Sequence, residues 1–279
     1  MNQTARLLAV LGFQKSGTTH LRNQLVSSCA ARTNVNEGCP ALLTPHAPFG
    51  RCSHFQNCTP TDAAAYACVD PGGVYASADA FEHVDYDQLR GMGPFYSTSL
   101  AIVMLVREPA DRAYAAYSML RSWRMGPPIV GVSKRLNFSS FVARDIDRIR
   151  TMRAGVLGRC DWRQGVVCYS AYASGILRFR NAFIGATGVE PPLNYFVFER
   201  MKKDPLAQLN AVLELAGLPR QRNLSKTAFK RATSYGKPER DLNSTLTRIR
   251  QFLARETERF YVLFGGRIQE WDAHQPATQ

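Results

Sequence analysis

The chain has 279 residues, 45% of them hydrophobic, a length that suits one large α/β domain or two small ones and an apolar content that allows a sizeable core without staples. Its 35 basic and 22 acidic residues leave a net charge of +13, which points to an anionic partner: nucleic acid, acidic polysaccharide, a membrane surface or a phosphorylated cofactor. No run approaches the ~20 apolar residues of a membrane span, and Leu7 to Phe13 is too short for a signal peptide.

Residues 7 to 13 (LLAVLGF) read as a buried strand, apolar on both faces. A glycine-bearing loop follows, then a helix from about Thr18 to Ala31 with Leu21 and Leu25 on one face. Residues 32 to 75, rich in Cys, Pro, Gly, Thr and Asn, read as irregular, disulfide-pinned structure. A second buried strand spans 100 to 106 (LAIVMLV), and a helix with Pro109 in its first turn comes next. Helices are expected over 139 to 154 and 168 to 184, and a third strand over 194 to 199 (NYFVFE). A helix over 204 to 216 is closed by Gly217 and Pro219, and the last long helix covers 243 to 260. Strands alternating with helices give an α/β fold with a mainly parallel sheet, which takes its ligands at the carboxyl ends of strands.

Two stretches at such ends carry chemistry. In "VLGFQKSGTTHL" the frame is Gly12, four residues and Gly17. A nucleotide-triphosphate loop has its lysine just after the second glycine; here Lys15 lies inside the loop and Thr18 and Thr19 follow the glycine. A loop between strand and helix aims several N–H groups at one point, to which Ser16, Thr18 and Thr19 add hydroxyls and Lys15 a charge. The next apolar strand ends in Arg107, where a triphosphate hydrolase usually places a magnesium-binding aspartate. Arginine binds anions, often as a fork. The site therefore reads as one for a phosphorylated nucleotide handled without a metal, the plain alternative for Arg107 being an ion pair with Glu108 or Asp111. These two features also set aside a P-loop kinase.

The compartment is signalled separately. Sequons N-x-[ST] occur at Asn2, Asn57, Asn137, Asn223 and Asn243, where about one or two are expected by chance. Cys29, Cys39, Cys52, Cys58 and Cys68 cluster without a C-x-x-C pair, with Cys160 and Cys168 further on. Disulfides in a secretory-pathway glycoprotein, with its anchor outside this sequence, fit this pattern better than zinc; a cytoplasmic protein with free thiols is the alternative.

"GFQKSGTTHL" resembles the 5′-phosphosulfate loop of the sulfotransferases that use 3′-phosphoadenosine 5′-phosphosulfate, and "LVREPADRAYAAY" resembles their 3′-phosphate motif. The arrangement looks most like the carbohydrate sulfotransferases of the heparan-sulfate type. "YSAYASGILRFRNAF", "YFVFERMKKDPLAQLNAVLELAGLP", "SYGKP" and "ETERFYVLFGGRIQEW" are similar to later stretches of that family. The resemblance covers most of the chain except roughly residues 38 to 95, and implies a single domain, 1–279, with a P-loop-like three-layer α/β fold and a tail at 272–279. It implies that Lys15 serves the bridging oxygen and that Ser16, Gly17, Thr18 and Thr19 hold the 5′-phosphate. Arg107 would hold the 3′-phosphate with the loop Tyr235, Gly236 and Lys237. Glu37, 22 residues after Lys15, would be the base, with His46 and His54 as alternatives and His20 structural. No metal is implied. The acceptor implied is an anionic glycan or another hydroxyl compound, not nucleic acid, and the compartment the Golgi lumen.

Three departures concern the acceptor and the strength of binding. Ala115 stands where the family's motif usually has serine, with Ser118 one turn on. Val69 and Asp70 stand where a second lysine is expected, and no cysteine follows Cys168. Between Arg121 and Arg163 ten basic residues face three acidic ones, which suits an anionic glycan or simply a solvated helix face. Trp123 and Trp162 are as suited to core as to sugar stacking. A small hydroxylated metabolite as acceptor, and an inactive glycan-binding relative, are the competing readings.

Overall fold

The computed structural model describes residues 6–12, 17, 20–21, 24–25, 41–43, 74–80, 99–122, 137–151, 165–215, 220–224 and 241–272. Five strands form one sheet: β1 (Arg6–Gly12), β2 (Ala41–Leu43), β3 (Val74–Ala80), β4 (Ser99–Val106) and β5 (Leu193–Val197). Their order is β2-β3-β1-β4-β5 and every pairing is parallel. The helices are α1 (Pro109–Ser122), α2 (Phe138–Thr151), α3 (Tyr172–Thr187), α4 (Phe198–Lys203), α5 (Pro205–Leu215), α6 (Leu242–Phe264) and α7 (Gln269–Asp272), with a 3-10 turn at Cys168–Ser170. Among the described residues no helix is long and apolar enough to cross a membrane.

The expected α/β fold is present, with local corrections. β2 lies inside the stretch read as irregular, and β3 begins there. β2 is only three residues at the sheet edge, and β3 (VYASADA) lacks an apolar run. What makes β3 a strand is pairing with β1 from Arg6↔Val74 to Gly12↔Ala80, a long-range cause that composition does not carry. The strand expected to reach Glu199 stops at Val197, opposite Val106, where its partner also ends, and the chain turns helical. The helix expected from 168 begins at Tyr172. α6 runs to Phe264, where Gly265 donates its N–H to the Tyr261 carbonyl and closes it.

By its contacts the chain divides into two compact units. Met1–Gly12, Ser16–Val106 and Phe179–Arg231 make the first, which holds the sheet. There Ile102 to Val106 are buried on both faces, as a central parallel strand requires. Leu21 and Leu25 pack with Val103, Leu105, Phe196, Met201, Leu209, Val212 and Leu213. α5 starts on Asp204, whose Oδ1 accepts from the Ala207 N–H, with Pro205 at the first helical position.

The second unit is Phe13–Lys15, Arg107–Arg178 and Ala232–Gln279. Its core joins Ala110, Ala113, Ala116, Tyr117 and Leu120 of α1 to Phe138, Val142 and Ile146 of α2 and Ile249 and Leu253 of α6. Alanines on α1 admit close helix packing. The basic α2 is partly neutralised: Arg148 pairs with buried Asp145 at 3.0 Å and Arg150 with Asp147 at 3.7 Å. At the chain's end Trp271 is 2% exposed and stacks on Phe260, centroids 5.6 Å apart. Asp272 is therefore helical and not part of a tail; residues 273–279 lie outside the described residues.

Candidate functional site

Strand order locates the site's address. From β1 the chain moves toward β2 and β3; from β4 it moves to β5 on the other side. β1 and β4 are hydrogen-bonded neighbours, with Gly12 opposite Leu105. This is the reversal point at whose carboxyl edge open α/β sheets receive ligands. The loop with Lys15 follows β1, and Arg107 follows β4 directly.

After β1, Gly17 is built to start a helix. Its carbonyl accepts from the Leu21 N–H at 3.0 Å, and His20, Leu21, Gln24 and Leu25 are helical. Gly17 thus stands at the start of that helix, the end that favours an anion. Gly17 has φ +98°, in the left-handed region that side chains resist. A Cβ there would lie 2.5 Å from Cδ2 of Phe198. Both facts require glycine. His20 is half-buried, and burial pushes its imidazole below the usual histidine range.

After β4, the backbone around Arg107 is held at several points. Tyr172 donates its hydroxyl to the Arg107 carbonyl at 2.7 Å. Glu108 caps α1: its Oε2 accepts from the Asp111 N–H at 2.7 Å and its carbonyl from the Arg112 N–H at 2.9 Å. Burial pushes the Glu108 carboxyl up, against the pull of Arg250, which reaches it at 3.3 Å and also lies 3.6 Å from Asp111. The two carboxylates offered by sequence as partners for Arg107 are thus engaged with Arg250. Ser170 donates to the Pro109 carbonyl at 2.9 Å and accepts from Arg112 Nε at 2.8 Å. Arg112 is fully buried, also donates to the Val166 carbonyl, and lies 5.3 Å over the Tyr169 ring.

Of the sequence-derived candidates, Gly17 and Arg107 are described. Lys15, Ser16, Thr18, Thr19, Glu37, Tyr235, Gly236 and Lys237 lie outside the described residues, as do His46, His54, Val69, Asp70, Trp123 and Trp162. Ala115 is 4% exposed and Ser118 7%, both enclosed within α1's packed surroundings. Of the seven cysteines only Cys168 is described, and it is buried. Sequence reading missed Glu108, Arg112, Ser170, Tyr172 and Arg250 as supports of Arg107. One signal was available: Arg112 sits between Ala110, Ala113 and Ala116, a charge on an apolar helix face.

The fold is shared with a solved sulfotransferase from Alicyclobacillus acidocaldarius, at 18% identity and a TM-score of 0.55, over 95% of this chain and 98% of that one. Mouse sulfotransferase SULT7A1, solved in complex with PAP, is similar at 14% identity and a TM-score of 0.42, over 79% of this chain and 61% of its own length. No protein-family model and no curated protein matches the chain.

Proposed function

We propose that the chain is a sulfotransferase that moves a sulfuryl group from 3′-phosphoadenosine 5′-phosphosulfate to a hydroxyl. The observation that carries this reading is the reversal point of the sheet. A helix opened by Gly17 follows one of its two strands and Arg107 directly follows the other. A sulfotransferase fold and the two sequence motifs support it.

In this reaction the acceptor oxygen attacks sulfur in line, its proton passes to a base, and the bond from sulfur to the bridging phosphate oxygen breaks. Glu37 takes the proton. Lys15 meets the charge growing on the bridging oxygen. The N–H groups after Gly17, with Ser16, Thr18 and Thr19, hold the 5′-phosphate. Arg107 holds the 3′-phosphate, aided by Tyr235, Gly236 and Lys237. No metal takes part.

A carbohydrate is the acceptor that best suits the positive charge and the motif likeness. A secretory compartment is supported by Asn137, Asn223 and Asn243, which are exposed sequon positions.

Thermal-shift titration with adenosine 3′,5′-bisphosphate tests the reading. Wild type gains melting temperature with ligand concentration, whereas Lys15→Ala and Arg107→Ala gain far less. Stabilisation by magnesium ATP and none by the bisphosphate would move the protein to the kinases. Glu37→Gln keeps bisphosphate binding and loses turnover by about 10²-fold or more; unchanged turnover would return the base to His46 or His54.

A further inference from the structure

Tyr172 is the first residue of α3, 65 positions along the chain from Arg107, yet its hydroxyl donates to the Arg107 carbonyl at 2.7 Å. Tyr172 is 1% exposed, and its ring packs on two others, Phe260 at 5.6 Å and Trp271 at 6.0 Å, both themselves buried. The turn leading into α3 is equally fixed. Ser170, two residues earlier, bonds the Pro109 carbonyl and Arg112. The Ser174 N–H, two residues later, donates to Glu256 of α6 at 3.0 Å. An O–H held this rigidly supplies a defined bond to a backbone carbonyl at the point where β4 ends and α1 has not begun.

That point is where position matters most. Residue 107 is in neither strand nor helix, so neither ladder fixes its dihedrals. A guanidinium binds a phosphate as a planar fork and needs its Cα placed to a fraction of an ångström. We infer that Tyr172 is a positioning residue for 3′-phosphate recognition, acting through the Arg107 backbone. The inference rests on the sulfotransferase reading above, because that reading gives Arg107 its phosphate. Its chemical consequence is selectivity: the Tyr172 hydroxyl strengthens binding of nucleotides that carry a 3′-phosphate and does little for those that lack one.

The experiment compares adenosine 3′,5′-bisphosphate with adenosine 5′-phosphate by calorimetry on wild type, Tyr172→Phe, Arg107→Ala and the double variant. Tyr172→Phe keeps every ring contact and removes one hydroxyl. It is expected to weaken the bisphosphate about three- to tenfold and the 5′-phosphate less than about twofold. On the Arg107→Ala background the same change has no further effect on the bisphosphate. Tyr261→Phe is the control: it strips a hydroxyl from the same aromatic cluster, one that faces Asp272 at 3.5 Å, and leaves the ratio of affinities as in wild type. Equal losses for both nucleotides in Tyr172→Phe, or a full loss persisting without Arg107, would overturn the inference alone. A wild type that does not prefer the bisphosphate overturns the sulfotransferase reading along with it.

Discussion

Gly17→Ala should be among the most damaging single-methyl changes in the chain, and the structure separates two reasons. At φ +98° an alanine is strained in the backbone, which costs about 1–2 kcal/mol. Its Cβ would also stand 2.5 Å from Cδ2 and 2.9 Å from Cε2 of Phe198. Phe198 is the first residue of α4, with the Lys202 ammonium 6.0 Å from its ring centroid, and making room for the Cβ carries an overpacking cost, about 1–3 kcal/mol. Together the loss is about 2–5 kcal/mol. Urea unfolding of wild type, Gly17→Ala, Phe198→Ala and the double variant resolves the parts. On the Phe198→Ala background the glycine change should cost only the backbone strain, about 1–2 kcal/mol. If it costs the same on both backgrounds, Phe198 does not seat the loop and the reasoning fails. Bisphosphate affinity should fall with Gly17→Ala on both backgrounds, since either error moves the first N–H groups of the helix.

Asp145 is 4% exposed and accepts from the Val167 N–H at 2.7 Å, and burial raises its carboxyl above the ordinary 3.8. The folded protein therefore takes up this proton before the unfolded chain does. The stability this adds is complete below 3.8 and is lost as pH rises through the folded value. The melting temperature of wild type relative to Asp145→Asn should then rise as pH is lowered from 7 toward 4. A difference that is flat or falls over that range would refute it. Gly165→Ala should be severely destabilising, because its Cβ would collide with the Asp145 carboxylate, and denaturant unfolding reads it. Asn137 caps α2, its Oδ1 accepting from the Ser140 N–H at 2.9 Å. Asn137→Ala should lose about 1 kcal/mol in urea unfolding while Asn137→Asp keeps the cap. Trp271→Ala should cost about 3–5 kcal/mol in urea unfolding, given its burial against Phe260 and Tyr261.

How much of this was legible depends on whether the cause is local. β1 and β4 announce themselves as apolar runs in the sequence, and in β4 the run matches burial of Ile102 to Val106 on both faces. Asp204–Pro205 and Pro109 mark helix starts because caps act within one turn. The paired signal of the loop and Arg107 was readable because each sits next to its strand end in sequence. β3 was not, since its strand state comes from β1, more than sixty residues away. Tyr172 and Arg250 were not either. Their partners at Arg107 and Glu108 lie 65 and 142 residues off, and neither residue type, alone on a helix, distinguishes a surface side chain from a buried strut.

The same distant contacts resolve an apparent conflict in the motif itself. Arg107 is followed at once by Glu108 and, four residues on, by Asp111, two charges that would repel an anion placed there. Arg250 answers both, at 3.3 and 3.6 Å, and its own side chain is 15% exposed, so the compensation operates where water screens little. Arg112, fully buried and bonded to neutral oxygens, adds another positive charge without a ligand role. Within the second unit Arg250 thus sits against both carboxylates, Glu108 and Asp111. Glu108 can then cap α1 through the Asp111 N–H without cancelling the charge next to it. The acidic residues after Arg107, which on sequence looked like competitors for it, belong to the scaffold that holds it.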